Sequence, residues 1–199
     1  MEPVQRFVAQ PKMRRKPFSV SQYVWSRRTM WVFGYGSLMW RPGFDYVEAR
    51  PARMAGVHRQ PCVYSYVHRG TPERPGIVLG LDRGGSCLGL AFRIEPQNWE
   101  NTLNYLRGRE LVTNVYLEAQ RPARLDDNRT VTCTTFLVDT EHEQYAGRLS
   151  HDALLKQVRG AAGQSGPNEA YLLETANKLK DLGVTDRRLE ALARDLIQD

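Results

Sequence analysis

The sequence predicts an α+β fold with its strands first and its helices last. Three observations carry this. From Trp31 to Val138 the apolar residues fall in short runs rich in Val, Tyr, Phe and Leu, cut by Gly, Pro, Asn and Asp. One helical stripe, Trp99, Leu103 and Leu106, interrupts them at i, i+4 and i+7. After Ser150 the apolar period lengthens from two to nearly four. At 199 residues and 41% apolar content, the chain fits one domain with an adequate core.

The elements follow in order. Residues 1–29 read as a basic arm, because Pro3, Pro11 and Pro17 oppose a continuous helix. Residues 30–199 read as the domain. Trp31, Val32 and Phe33 predict a buried strand. The pattern then breaks at Gly34-Tyr35-Gly36-Ser37, where two glycines allow a sharp turn and a close backbone approach. Successive N–H groups in such a turn can form an anion-binding nest. Asp45 to Val57 and His58 to Val67 predict two strands, and the Pro-rich stretch Gly70 to Gly76 predicts a loop. Gly76–Asp82 and Cys87–Ile94 predict two more, joined by a hairpin at Arg83-Gly84-Gly85-Ser86. Pro96 suits the first position of the next helix. Val115–Leu125 and Thr130–Val138 predict strands around an Asp126-Asp127-Asn128 turn. Ser150 is placed to cap a helix ending at Arg159, and Gly160–Pro167 predicts a loop. Asn168 is placed to cap a helix ending before Gly183, and Thr185 one from Asp186 to Ile197.

Composition excludes several classes. The formal charge is +6, but residues 1–30 hold seven basic residues and one acid. The arm thus accounts for the whole excess, and the balanced body argues against a nucleic-acid binder. No apolar run approaches the length of a membrane span, and the N-terminus lacks the apolar core of a signal peptide. Cys62, Cys87 and Cys133 are odd in number, far apart and without a CxxC, which fits a cytoplasmic protein with buried thiols and no zinc site. His58, His68, His142 and His151 lack ligand spacing. Met39 stands where a dinucleotide fingerprint needs its third glycine, and no Walker lysine is present.

Glu110 is the second focal residue. It lies four past Leu106 and seven past Leu103, so a helix that reaches it puts a carboxylate on the apolar stripe. Burial of such a group is costly and raises its pKa. The pattern alone leaves two readings open, a salt-bridged structural residue and a functional one. Arg107 and Arg109 beside it are expected to be solvated, and Glu118 to lie on the surface.

Three separated stretches carry a family resemblance: FGYGSLMW (Phe33–Trp40), YLRGRELVTNVY (Tyr105–Tyr116) and GAAGQSGPNEAYL (Gly160–Leu172). Together they resemble the ChaC family of γ-glutamylcyclotransferases, over about Met30 to the C-terminus. That resemblance implies a small mixed β-barrel with surrounding helices. It implies cleavage of glutathione to 5-oxoproline and cysteinylglycine, without cofactor or metal, by attack of the substrate's own α-amine on its γ-amide carbonyl. Glu110 matches the family's catalytic glutamate, after YL and in the RE pair. The loop Gly34, Tyr35, Gly36, Ser37, Leu38 and Met39 is implied to hold the γ-glutamyl part, with Tyr171 of the NEAYL stretch closing the site. Arg69 and Arg74, at the Pro-rich loop, could meet a carboxylate, with solvated charge as the default. The family carries a similar basic segment, but this chain departs from the DHRG and PG pattern of many members, so no substrate contact is expected there. The competing expectations are the same chemistry on another γ-glutamyl amine or dipeptide, and a non-catalytic regulatory or binding protein of the same fold.

Overall fold

The computed structural model describes residues 30–198; the basic arm 1–29 lies outside them. Five strands close into a barrel in the order β1-β3-β2-β4-β5. They are β1 (Met30–Gly34), β2 (Glu48–Ser65), β3 (Gly76–Ile94), β4 (Tyr116–Leu125) and β5 (Thr130–Val138). Every neighbouring pair is antiparallel except the closing one, where β5 meets β1 in parallel through Trp31↔Cys133 and Val32↔Thr134. Trp31, Val32 and Phe33 are all buried, as a strand covered on both faces requires. The α+β class and the barrel are thus both present.

The two strands expected from Asp45 to Val67 are one, and so are the two expected from Gly76 to Ile94. β2 and β3 pair from Glu48↔Arg93 to Ser65↔Gly76 as one long ribbon. The Gly84-Gly85 pair makes no hairpin turn. These residues take φ of +91° and +70° opposite Gly56 at +77°, and the register slips there by one residue. Such a bulge bends a ribbon without ending it, and only glycine enters that conformation cheaply. The far half of the ribbon continues to Ser65 and Gly76 and forms a wall of the cavity described below.

Among the described residues four helices surround the barrel: α1 (Trp99–Glu110), α2 (His151–Val158), α3 (Asn168–Asp181) and α4 (Arg187–Ile197). Helix α4 packs on α2 and α3, which both rest on β3. Leu154, Val158, Leu172, Leu179, Leu189 and Leu192 join the barrel residues in one continuous core. Ser150 caps α2 as expected, accepting the Ala153 N–H at 3.2 Å. The other two caps differ. Asp186, not Thr185, accepts the Leu189 N–H at 3.1 Å. Asn168 does not cap α3. Its buried amide instead accepts from Ile77 N–H at 2.6 Å and donates to Ile77 C=O at 2.8 Å. Residues 160–167, expected as a loop, contain two short paired strands, β6 (Ala162–Gly163) and β7 (Gly166–Pro167).

Candidate active site

The chain leaves β1 and enters a 3-10 turn at Ser37–Met39. Gly36 precedes it, with φ −126° and ψ −130°. A Cβ at Gly36 would lie 3.1 Å from the Tyr171 hydroxyl, so the glycine allows a close approach. The turn's hydrogen bonds begin with Met39 N–H to Gly36 C=O at 2.9 Å. The N–H groups of Gly36, Ser37 and Leu38 come before that bond and have no helical carbonyl to reach.

Beside this turn lies a cavity of about 600 Å³, within the usual range for a small-molecule site. Tyr35, Gly36, Ser37 and Leu38 line it from the turn. Glu110 lines it from the last residue of α1, and Tyr171 from the first turn of α3. Helix α1 does reach Glu110, and Leu106, one turn earlier, is fully buried. The Glu110 side chain is only 18% exposed. Burial raises its pKa, and Arg109 opposes that shift with its positive charge. Glu110 therefore combines reduced solvation with one nearby cation, a setting that moves a carboxylate toward useful basicity.

Three phenols stand around it. Tyr35 donates to Phe136 C=O at 3.1 Å, and Tyr116 donates to Leu79 C=O at 2.8 Å. Tyr171 accepts the Leu79 N–H at 3.1 Å, leaving its own proton to donate. Burial pushes all three phenol pKa values up, and the Glu110 charge adds to the effect on each. They are neutral hydrogen-bonding groups at physiological pH.

Arg109 ties the parts together. Its Nε lies 3.2 Å from Glu110 Oε1, and its Nη2 donates to Ser37 Oγ at 2.8 Å. Nη1 reaches Arg41 C=O at 2.8 Å, Pro42 C=O at 3.2 Å and the Tyr105 hydroxyl at 3.0 Å. One guanidinium thus fixes the turn against the end of α1.

The ChaC-like protein family matches residues 30–198. The chain belongs to that family. A glutathione-specific γ-glutamylcyclotransferase of Escherichia coli is 35% identical over 163 residues, covering 82% of this chain and 71% of that protein. Mouse glutathione-specific γ-glutamylcyclotransferase 1 is 30% identical over 171 residues, covering 83% of this chain and 77% of the relative. The crystal structure of a yeast γ-glutamyl cyclotransferase specific to glutathione superposes with a TM-score of 0.78. It is 22% identical and covers 85% of this chain and 96% of the yeast chain. The ChaC-like domain and the barrel are therefore the same unit.

Not every expected site residue of this ChaC-like chain lines the cavity. Gly34 does not: it pairs with Leu90, and a Cβ there would meet Leu38 and Phe92. Met39 does not either: it is 3% exposed, in the core, with its sulfur 3.9 Å from Arg59 Nη2. Arg109, expected to be solvated, is 19% exposed and inside the site. Its neighbour Arg107 does face solvent, in an ion pair with Glu118 at 2.7 Å. His68 and Arg69 also line the cavity, although no contact was expected from their stretch. The three cysteines are free and buried, and burial pushes the Cys62 and Cys133 thiols up to about 12, so neither is a nucleophile. Among the described residues no helix is long and apolar enough to cross a membrane.

Proposed function

We propose that this chain cleaves glutathione to 5-oxoproline and cysteinylglycine, with Glu110 as general base and general acid. The observation that carries the reading is a mostly buried glutamate in the same cavity as the turn residues Gly36, Ser37 and Leu38, whose N–H groups have no helical carbonyl to reach. The names of the relatives support the choice of glutathione. The domain 30–199 does this work in the cytoplasm on a small molecule; neither nucleic acid nor a membrane is a partner.

The reaction is an internal aminolysis. The α-nitrogen bonds to the γ-carbonyl carbon and closes a five-membered lactam. The bond from that carbon to the cysteine nitrogen breaks. The attacking nitrogen begins as an ammonium and ends as a lactam N–H; the leaving nitrogen begins as an amide N–H and ends as an ammonium. Two protons cross, and the carboxylate that carries them is unchanged at the end. No cofactor enters this balance. An α-ammonium has a pKa near ~8, and an ordinary Glu near ~4.3 is too weak to deprotonate it well. The raised pKa of Glu110 narrows that gap.

The turn supplies the rest. Its N–H groups are donors for the α-carboxylate or for the oxyanion that forms at the γ-carbon. The Tyr171 hydroxyl, anchored by Leu79 N–H, points a further donor at the same region. Folding a flexible γ-glutamyl chain so that amine meets carbonyl is worth roughly 7–11 kcal/mol when the alignment is good. Incubating the pure protein with glutathione and EDTA tests the reading. It should release 5-oxoproline and cysteinylglycine in equal amounts. No release across a range of pH and concentration would refute it.

A further inference from the structure

The mechanism above uses the γ-glutamyl half of the substrate and leaves part of the cavity unexplained. His68 and Arg69 follow the end of β2 and line that part. Their backbone is pinned. Arg69 N–H donates to Ser65 Oγ at 3.0 Å, and the C=O groups of Val67 and His68 accept from Gln164 and Ser165 N–H, both at 2.9 Å.

Arg69 is partly buried and belongs to no ion pair among the described residues. Its guanidinium lies 5.3 Å from the Tyr171 ring centroid, and Nη1 donates to Pro167 C=O at 3.1 Å. A cation held by an aromatic face and one carbonyl keeps most of its donors free. His68 has a matching deficit. Its Nδ1 lies 3.1 Å from Ser165 Oγ, while Nε2 is shielded from solvent and has no partner. The Ser165 hydroxyl can donate to Nδ1, and in that tautomer the proton on Nε2 has no acceptor. Buried donors are rarely left so in a folded protein. Burial, Arg109 and Arg69 all hold His68 in its neutral form, so it contributes a hydrogen bond rather than a charge.

Charge in the cavity favours an anion. Arg41, Arg69 and Arg109 line it, against Glu110 and the exposed Glu174 at the rim. Glu110 is engaged by Arg109, which leaves Arg41 and Arg69 without an ion pair among the described residues; Arg41 is exposed, and Arg69 is the partly buried one beside His68.

We propose that His68 and Arg69 receive the second carboxylate of the substrate, the one at the far end of the leaving dipeptide. A carboxylate accepts from both the guanidinium and the imidazole N–H with two charged oxygens, whereas a neutral amide end offers one uncharged oxygen and makes the weaker bonds. The cavity of about 600 Å³ has room for a tripeptide rather than for a γ-glutamyl group alone. The pair therefore selects γ-glutamyl peptides with a free terminal carboxylate over γ-glutamyl amines. This rests on the cyclotransferase reading and makes it narrower.

The test compares glutathione with its glycine-amide form, on wild type and on Arg69→Met. Both substrates share every reacting atom and differ at the far end alone. Wild type should cleave the free acid about 10- to 100-fold better in kcat/KM, the usual worth of charge-assisted hydrogen bonds. Arg69→Met should lose a similar factor on glutathione and change by less than about threefold on the amide, outside what loss of such bonds would give. Equal cleavage of the two substrates by wild type would overturn the inference and leave the cyclotransferase reading intact. An Arg69→Met protein slowed alike on both would assign Arg69 a structural role and also overturn it. Release from neither substrate by wild type would overturn both. The wild-type comparison decides the matter even if the variant fails to fold.

Discussion

Replacing Arg109 with Met should damage stability and activity through separate contacts. The side chain is 19% exposed and makes four hydrogen bonds besides its ion pair with Glu110. At about 0.5–1.5 kcal/mol net each, four bonds total about 2–6 kcal/mol. Water can replace Arg109 at the more exposed carbonyls of Arg41 and Pro42, so the lower half of that range, about 2–4 kcal/mol, is expected. In a domain of this size that lowers Tm by roughly 4–16 °C. The second effect is electrostatic. Arg109 favours the ionised form of Glu110. Without it the carboxyl pKa moves further up, and the acid limb of the kcat/KM–pH profile moves to higher pH. Arg109→Lys separates the two effects: it keeps a cation near Glu110 but not the fork that grips Ser37 and the 41–42 carbonyls. It should lose stability like the Met variant while its acid limb moves less. Thermal melts and pH–rate profiles on both variants supply the comparison. An Arg109→Met protein with wild-type Tm, or with its acid limb displaced to lower pH, would refute the reasoning.

Two further substitutions test the framework. Asn168→Ala removes a fully buried amide that serves both the N–H and the C=O of Ile77, and it should cost about 2–5 kcal/mol in urea unfolding at unchanged m-value; a loss under about 1 kcal/mol would show that water fills the gap. Gly36→Ala places a methyl 3.1 Å from the Tyr171 hydroxyl, so kcat/KM on glutathione should fall at least about tenfold, as misplacement of a positioned group does; wild-type turnover would show that Tyr171 is not held by this contact.

Much of this was legible in the sequence where local physics decides. Short apolar runs mark each barrel strand, with β2 and β3 each read as two, and the stripe through Leu106 carries Glu110 to the cavity. Local signals failed where one residue serves two purposes. Gly84 and Gly85 suit a hairpin turn and a bulge equally, and the choice depends on Gly56 across the ribbon. Asn168 suits an N-cap, yet the buried backbone of Ile77, far away in sequence, claims its amide. Barrel closure by Trp31 and Cys133 leaves no trace in periodicity. Arg109 lies one residue off the apolar stripe, and an arginine there reads as solvated unless one knows that α1 ends against the Ser37 turn. His68 and Arg69 sit at a Pro- and Gly-rich connection that has no period to read. Gly34 and Met39 were drawn into the expected site by adjacency in a motif; the strand pairs one inward and the core claims the other.

The central claim is that Glu110 moves the protons, and Glu110→Gln tests it most directly. Gln fills the same space and can hydrogen-bond, but cannot take a proton from the α-ammonium. Arg109 keeps its bonds to Ser37, Tyr105 and the 41–42 carbonyls, so the fold should survive. Burial raises the Glu110 pKa, which means the folded state disfavours its charged form. The Gln variant should therefore melt at or above wild type near neutral pH. That advantage should shrink as pH falls through the raised folded pKa and vanish below the ordinary Glu value of about 4.3. Single-turnover cleavage of glutathione should slow by about 10²–10⁴, with substrate affinity little changed. A well-folded Glu110→Gln protein that keeps more than about a tenth of wild-type kcat, far above what loss of a general base allows, would contradict the account.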